Sequence, residues 1–493
     1  MPRVADYVMQ RLYEAGAKHV FLVTGRGMLY LSDALARFEG LEGISVHHEQ
    51  SASYAAMAYA QKTGKIGAAM VSTGCASTNA ITGVLCAWQD NLPVIFISGQ
   101  NKLEETSYHT KLPVRTFGQQ EANIVDIVKP ITKYATMIEN PSDIAYDMDK
   151  ALYLANEGRK GPVWIDIPLD IQNMRVEEEG LKRYLAKNST PEIKDSDILF
   201  VQNSLKKAQR PVILYGSGIR SANAQNELLE LIENTKIPAV YSASAVDILD
   251  GTNEMVIGCA GAMAANRAAN FAIQNADLIL VLGSRLNSMI TGSDINKFAR
   301  EAKVLVVDID ENEHKKFPEK IDKFIHADVK SFLEKMLNEN LEQISPNWVE
   351  KCKHWKKEFP KCEKSFKGSD KVDLYELADK LTEYMDENAV CITDAGLEEL
   401  IIPTTVTFKN NQRCIHPASQ GAMGFALPAL IGSYFAQNCR NIAVIGDGSV
   451  MMNLQELQTI SYHKLPVKIL IINNDCYAVI RKRQQDLFRT RTI

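Results

Sequence analysis

The sequence predicts an α/β protein built of three doubly wound parallel-sheet domains. Three observations carry this expectation. Short β-rich apolar runs alternate with helical patterns, as parallel strands covered by helices on both faces require. Stretches of charged, weakly periodic sequence divide the chain into three α/β blocks of similar size. Near the C-terminal end, two apolar strands flank a helical pattern as a βαβ unit, and each strand runs into a turn rich in glycine or asparagine.

The first block, 1–172, contains the runs His19–Val23, Ala68–Ser72, Val94–Ile97 and Val163–Ile167. A charged linker is expected over 173–197, where Glu177-Glu178-Glu179 and Asn188-Ser189-Thr190-Pro191 break any apolar period. The second block, 198–335, has Pro211–Tyr215, Leu278–Leu282 and Val304–Val307 as its strands. A lysine-rich stretch follows, and 336–371 reads as a second linker or solvated face. The third block, 372–493, begins with the strand Val390–Thr393. It continues through Ile442–Ile445, a helix expected over Met451–Tyr462, and the strand Val467–Ile472.

Composition limits the function classes. The 493 residues are 46% hydrophobic and 23% charged, ordinary for a globular chain with a sizeable core. A formal charge of −5 gives no general basic field, so a nucleic-acid or anionic-membrane partner has no electrostatic support. Nine cysteines are scattered without a CxxC pair, which disfavours zinc and a disulfide framework. No long apolar stretch reads as a leader or a membrane span, and the expected setting is a reducing cytoplasm.

The chemistry concentrates at Gly446-Asp447-Gly448, which is followed after 24 intervening residues by Asn473-Asn474. The βαβ reading places both at one edge of a parallel sheet. Mg²⁺ prefers hard oxygen ligands and shares its octahedral shell with substrate phosphates. Asp447, Asn474 and a backbone carbonyl therefore make a reasonable half-shell, with a diphosphate supplying the remainder. Gly446 and Gly448 allow close backbone approach, and a helix N-terminus favours the anion. Alone, Gly-Asp-Gly also makes ordinary turns.

This segment resembles the thiamine-diphosphate fingerprint, and the chain is similar to the acetolactate synthase-like, pyruvate-oxidase-type family. The likeness extends through Val4-Ala5-Asp6-Tyr7, His47-His48-Glu49-Gln50, Gly161–Pro168 and Gly421-Ala422-Met423-Gly424-Phe425. It implies a pyrimidine-binding, a central and a diphosphate-binding domain, in that order. Family members continue for several strands and helices past the helix after the asparagine pair, so the resemblance makes the third domain short and incomplete.

The resemblance also implies roles. Glu49 matches the glutamate that hydrogen-bonds N1′ of the aminopyrimidine, where proton exchange acidifies the 4′-amino group and leads to loss of the C2 proton. Read without the family, a glutamate at a helix start complements the macrodipole. Met423 corresponds to the apolar side chain beneath the bent cofactor, and Gly74, in Ser72–Asn79, to the loop near the pyrimidine. Gly396, in Asp394-Ala395-Gly396, and Ser449 correspond to positions beside the diphosphate. The metal's backbone ligand falls on Cys476, by its carbonyl and not its thiol. Gln120, in Phe117–Glu121, corresponds to a position beside the bound substrate. In the central block, Gly216, Gly218 and Arg285 are placed near FAD, which some members hold and many have lost; the same glycines also read as tight βα turns.

The expected activity is thiamine-diphosphate- and Mg²⁺-dependent decarboxylation of a 2-oxo acid, pyruvate first, with transfer of the acyl carbanion to a carbonyl acceptor. Cys86-Ala87-Trp88-Gln89-Asp90 and Asn474–Arg481 look closer to the branch linked to surface-sugar biosynthesis, whose acceptor is a ketosugar. The alternatives are a simple 2-oxo acid decarboxylase and a catalytically silent cofactor-binding subunit. A homodimer or homotetramer is implied, each site using two chains.

Overall fold

In a computed structural model of the protein, residues 1–187 and 190–489 are described. Positions 188 and 189 of the expected first linker, and 490–493 at the end of the third block, lie outside the described residues. Three sheets form, and the strand pairings described in each are parallel. The first holds β1 (His19–Leu22), β2 (Glu42–Ser45), β3 (Gly67–Val71), β4 (Val94–Gln100), β5 (Tyr134–Met137) and β6 (Val163–Pro168) in the order β2-β1-β3-β4-β6-β5. β3, β4 and β6 are buried along their whole length, and the first residues of β4 and β6 accordingly read as apolar runs rather than an alternation.

The second sheet holds β7 (Pro211–Tyr215), β8 (Ala239–Tyr241), β9 (Val256–Cys259), β10 (Leu278–Leu282), β11 (Lys303–Asp308) and β12 (Lys323–His326), ordered β12-β11-β10-β7-β8-β9. The third holds β13 (Val390–Thr393), β14 (Arg413–Ile415), β15 (Asn441–Gly446) and β16 (Lys468–Ile472), ordered β14-β13-β15-β16. In each sheet the order reverses near its middle, as in doubly wound sheets, and the crevices at the carboxyl ends are where such folds hold ligands.

The described residues gather into two compact units. One takes Met1–Asn188, Val390–Gly396 and Ile415–Ile493; the other takes Ser189–Ala389 and Leu397–Cys414. The first sequence block and most of the third thus share a unit. The reason is a pair of helices, Glu49–Thr63 and Ala426–Ala436, that are apolar over most of their surface and are buried against each other. The approach is backbone-close: a Cβ on Gly432 would lie 2.0 Å from the Ala55 carbonyl oxygen.

In the second unit, the stretch read as linker over 336–371 carries a helix, Pro346–Glu358. Its Trp348 is buried and donates its indole N–H to the Pro211 carbonyl at 3.0 Å, so apolar docking outweighs the lysine content. Asp247 accepts from Arg220 at 2.9 Å and from Arg413 at 2.7 Å. Burial alone would push this carboxyl up, but the two guanidinium groups outweigh burial and hold it at about 2. The expected helix over Met451–Tyr462 is also corrected. A short helix spans Asp447–Val450 and another Glu456–Tyr462, with turns between, because Asn453 spends its side chain on distant partners.

Asp166 on β6 is fully buried. Burial pushes its carboxyl from 3.8 up to about 7, against hydrogen bonds from Ser98 at 2.5 Å and Gln100 at 3.2 Å. Between those two values the folded chain holds more protons at this site than the unfolded chain. The site's contribution to stability is therefore greatest below about pH 4 and falls as pH rises towards 7, at roughly 1.4 kcal/mol per pH unit. Asp166→Asn is expected to remove that slope; denaturation of both chains across pH 4.5 to 8 checks it, and parallel pH profiles contradict it.

Candidate active site

Glu49 is reached from β2 through His47-His48. The His48 imidazole accepts from the Gln50 N–H at 3.1 Å and so caps the helix, leaving Glu49 as its first residue. That placement satisfies the macrodipole as well as a working carboxylate. The carboxylate of the half-buried Glu49 accepts from Asn79 Nδ2 at 2.9 Å. Asn79 closes the short helix Cys75–Asn79, which starts directly after Gly74.

The loops after β1, β3 and β4 converge beside this pair. Gly74 has φ +69°, and a Cβ there would sit 2.0 Å from the Gln120 carbonyl oxygen. The structure therefore brings Gly74 and Gln120 into direct backbone contact, with Gln120 itself at φ 58°. Asn101 Nδ2 donates to the Gln119 carbonyl at 3.0 Å, and Arg26 donates to the Gln119 side chain, which fixes the loop on its other flank. Gly74→Ala meets both a left-handed backbone and a clash with the Gln120 carbonyl oxygen. It is expected to displace the 117–121 loop and weaken cofactor binding by about tenfold or more while the global fold persists, since such strain costs about 1–3 kcal/mol. Calorimetric titration with thiamine diphosphate checks this, and unchanged affinity counts against it.

At the carboxyl end of the third sheet, Gly446 on β15 pairs with Ile472 on β16, which brings the two following loops together. The Asp447 carboxylate accepts from the Gly448 N–H at 2.8 Å and from the Asp475 N–H at 2.8 Å. Asn474 Oδ1 accepts from the Cys476 N–H at 3.2 Å. Asp447 is half-buried and Asn474 exposed, so both side-chain oxygens stand at an open edge. Gly448 serves a close approach of another kind: a Cβ there would meet the Tyr477 ring at 2.5 Å.

Met423 is half-buried in a loop with glycines at φ 56° (Gly421) and 76° (Gly424). The loop hangs on Asp394, which is buried at the end of β13. Asp394 accepts from the N–H groups of Ala395 at 2.8 Å, Gly424 at 3.0 Å and Ala426 at 2.8 Å, and from the Ser449 hydroxyl. Burial raises its carboxyl above the usual range, and these donors oppose the rise. The Ser449 hydroxyl is thus turned inward to hold the Met423 loop. Gly396 follows at φ 131°.

In the other unit, Gly216 and Gly218 pack on the turn after β10. Cβ atoms there would lie 2.4 Å and 2.7 Å from the Gly283 carbonyl oxygen. These glycines serve a backbone-to-backbone fit within the protein, as in a tight βα turn. Arg285 lies in the same turn and is half-buried.

Sequence reasoning left three residues unassigned. Asn79 lay inside a quoted loop, with nothing local to mark it. Asn453 and Glu456 are nearly or fully buried polar residues of the segment after Gly448. Asn453 interrupts an apolar run, Met451-Met452-Asn453-Leu454, and that interruption was the available signal. Among the described residues, no group of three or more His, Cys, Asp or Glu side chains is placed to hold a metal ion.

Residues 2–127 match the thiamine pyrophosphate enzyme N-terminal TPP binding domain, 200–336 the central domain, and 394–493 the C-terminal TPP binding domain. The chain is 32% identical over 494 residues to the acetolactate synthase large subunit of Lactococcus lactis subsp. lactis, covering 99% of this chain and 83% of that protein. It is 31% identical to the isozyme 1 large subunit of Escherichia coli K12, over 98% of this chain and 84% of that protein. It is 30% identical to the large subunit of the red alga Porphyra purpurea, over 98% and 82%.

Proposed function

The chain belongs to the thiamine pyrophosphate enzymes as an acetolactate synthase-like member, and from that premise we propose that it decarboxylates pyruvate and passes the acyl carbanion to a carbonyl acceptor. The observation that carries this reading is the arrangement within one compact unit. Glu49 with Asn79, the Gly74–Gln120 contact, the Met423 loop and the Asp447–Asn474 edge all stand at the ends of parallel strands or the starts of helices there. The donor chemistry suits Mg²⁺: one carboxylate, one amide and the Cys476 carbonyl are all hard oxygens, and a diphosphate completes such a shell. When bound, thiamine diphosphate supplies the sink for the electrons left by CO₂ loss.

The chain's residues do the rest. Asp447 and Asn474 would hold the metal and, through it, the diphosphate. Glu49, held in orientation by Asn79, would exchange a proton at N1′ of the aminopyrimidine. Met423 would support the bound cofactor, and Gln120, presented by the strained turn against Gly74, would meet the substrate. FAD enters none of these steps. The assembly is proposed as a homodimer, paired or not into a tetramer, in a reducing compartment that keeps the nine cysteines as free thiols. No helix among the described residues is long and apolar enough to cross a membrane.

The test is turnover of pyruvate with Mg²⁺ and thiamine diphosphate, products followed by NMR, with pyruvate alone and with an added ketosugar. A carboligation product supports the proposal, and the acceptor that yields it identifies the branch. Acetaldehyde alone means simple decarboxylation; tight cofactor binding without turnover means a silent subunit.

A further inference from the structure

We infer that Asn453 and Glu456 are positioning residues that form one clasp on the Glu49-bearing segment, Asn453 also tying it to the loop that carries Met423 in the same chain. The inference rests on the roles proposed for Glu49 and Met423.

Asn453 is 1% exposed, and its amide uses every hydrogen-bonding position it has. Nδ2 donates to Gln50 Oε1 at 3.1 Å and to the Gly424 carbonyl at 2.9 Å. Oδ1 accepts from the Ser51 hydroxyl at 3.1 Å and from Gln455 Nε2 at 3.1 Å. One side chain thereby joins the two residues that follow Glu49 to the residue that follows Met423. The fit is tight as well as polar, since a Cβ on Gly424 would come within 2.9 Å of Asn453 Nδ2.

Glu456 holds the other side of Glu49. It is fully buried, accepts from the His47 N–H at 3.0 Å, and accepts from the Thr459 hydroxyl at 2.8 Å. His47 is two residues before Glu49, so the segment is gripped on both flanks, at His47 and at Gln50-Ser51, by side chains three apart, Asn453 in the turn and Glu456 at the start of the helix after it. A buried amide with all four positions filled specifies one arrangement, because any shift leaves a buried polar group unmatched. Neither side chain touches the reacting atoms. Each acts through Glu49.

The experiment uses the full chain and the variants Asn453→Ala, Glu456→Leu and Glu456→Gln. The last keeps an acceptor for His47 and a donor for Thr459, and it is the rescue. Amide hydrogen exchange over residues 46–52 of the cofactor-free protein is expected to rise in Asn453→Ala and Glu456→Leu and to stay at the parent level in Glu456→Gln. C2 deuterium exchange of bound thiamine diphosphate is expected to slow by about 10- to 100-fold in the first two, the scale of a misplaced catalytic group. Cofactor affinity should hold within about threefold, since ground-state binding is not what the clasp sets. In a Glu49→Gln background the same substitutions should slow C2 exchange no further. Parent-level C2 exchange in Asn453→Ala and Glu456→Leu overturns the inference, as does unchanged amide protection at 46–52. Failure of the underlying assignment shows separately, as parent-level C2 exchange in Glu49→Gln itself, and it removes the basis of the clasp.

Discussion

Asp447→Ala is expected to abolish Mg²⁺-dependent thiamine diphosphate binding while leaving the chain folded. The carboxylate is the one charged group of the proposed half-shell. Without it the metal keeps two neutral oxygens, and the diphosphate's charge is no longer offset at the sheet edge. Removing even an outer-shell partner of a metal site costs 10- to 100-fold in affinity, so losing a charged ligand should exceed about 100-fold. The folded state loses little by comparison. Asp447 is half-buried and accepts two backbone hydrogen bonds, each worth about 0.5–1.5 kcal/mol. Asp447→Asn, which keeps one acceptor for the Gly448 or the Asp475 amide but not the charge, helps to separate the two effects. Calorimetry with Mg²⁺ and cofactor checks the prediction, and an Asp447→Ala chain with parent affinity would overturn the metal assignment.

Glu49→Gln is expected to slow C2-proton exchange of bound cofactor by about 10²- to 10⁴-fold, the range of general acid-base contributions. The substitution is close to isosteric. A glutamine oxygen still accepts from Asn79, and the helix start keeps its His48 cap. What disappears is the capacity to exchange a proton with the pyrimidine ring, so affinity should persist while exchange collapses. This outcome also discriminates between the readings of Glu49. A residue that only complements the helix dipole would leave exchange at the parent rate and lower stability slightly. Mixing Glu49→Gln chains with Asp447→Ala chains extends the test to assembly. Restored turnover in heterodimers verified by mass means each site draws on two chains; inactive heterodimers mean each chain closes its own site.

Much of the framework was legible beforehand. The runs at His19–Val23, Val94–Ile97, Leu278–Leu282 and Ile442–Ile445 are strands because a parallel strand covered on both faces needs apolar side chains in both directions, and such a run is visible without any partner. Asp447 and Asn474 could be paired because each directly follows a strand of one βαβ unit, and adjacent parallel strands bring their carboxyl-end loops together. Glu49 and Gly74 were singled out through the family resemblance, and the structure added the partner each one meets.

The sequence by itself determined the α/β class, the three parallel sheets and the strand ends that carry the candidate chemistry, because those properties reside in local periodicity and in turn residues. Only the tertiary structure decided what joins them. The first block and most of the third form one unit, within which Gly432 approaches Ala55. The helix expected over Met451–Tyr462 is interrupted where Asn453 reaches Gln50 across 403 positions, and Glu456 reaches His47 across 409. Gly216 and Gly218, read either as FAD contacts or as tight βα turns, closely approach Gly283. The physical reason is common to all three. A side-chain hydrogen bond or a backbone approach between residues far apart in the chain imposes no period on either segment, so its partners become visible only when the packed sheets bring them within a few ångströms.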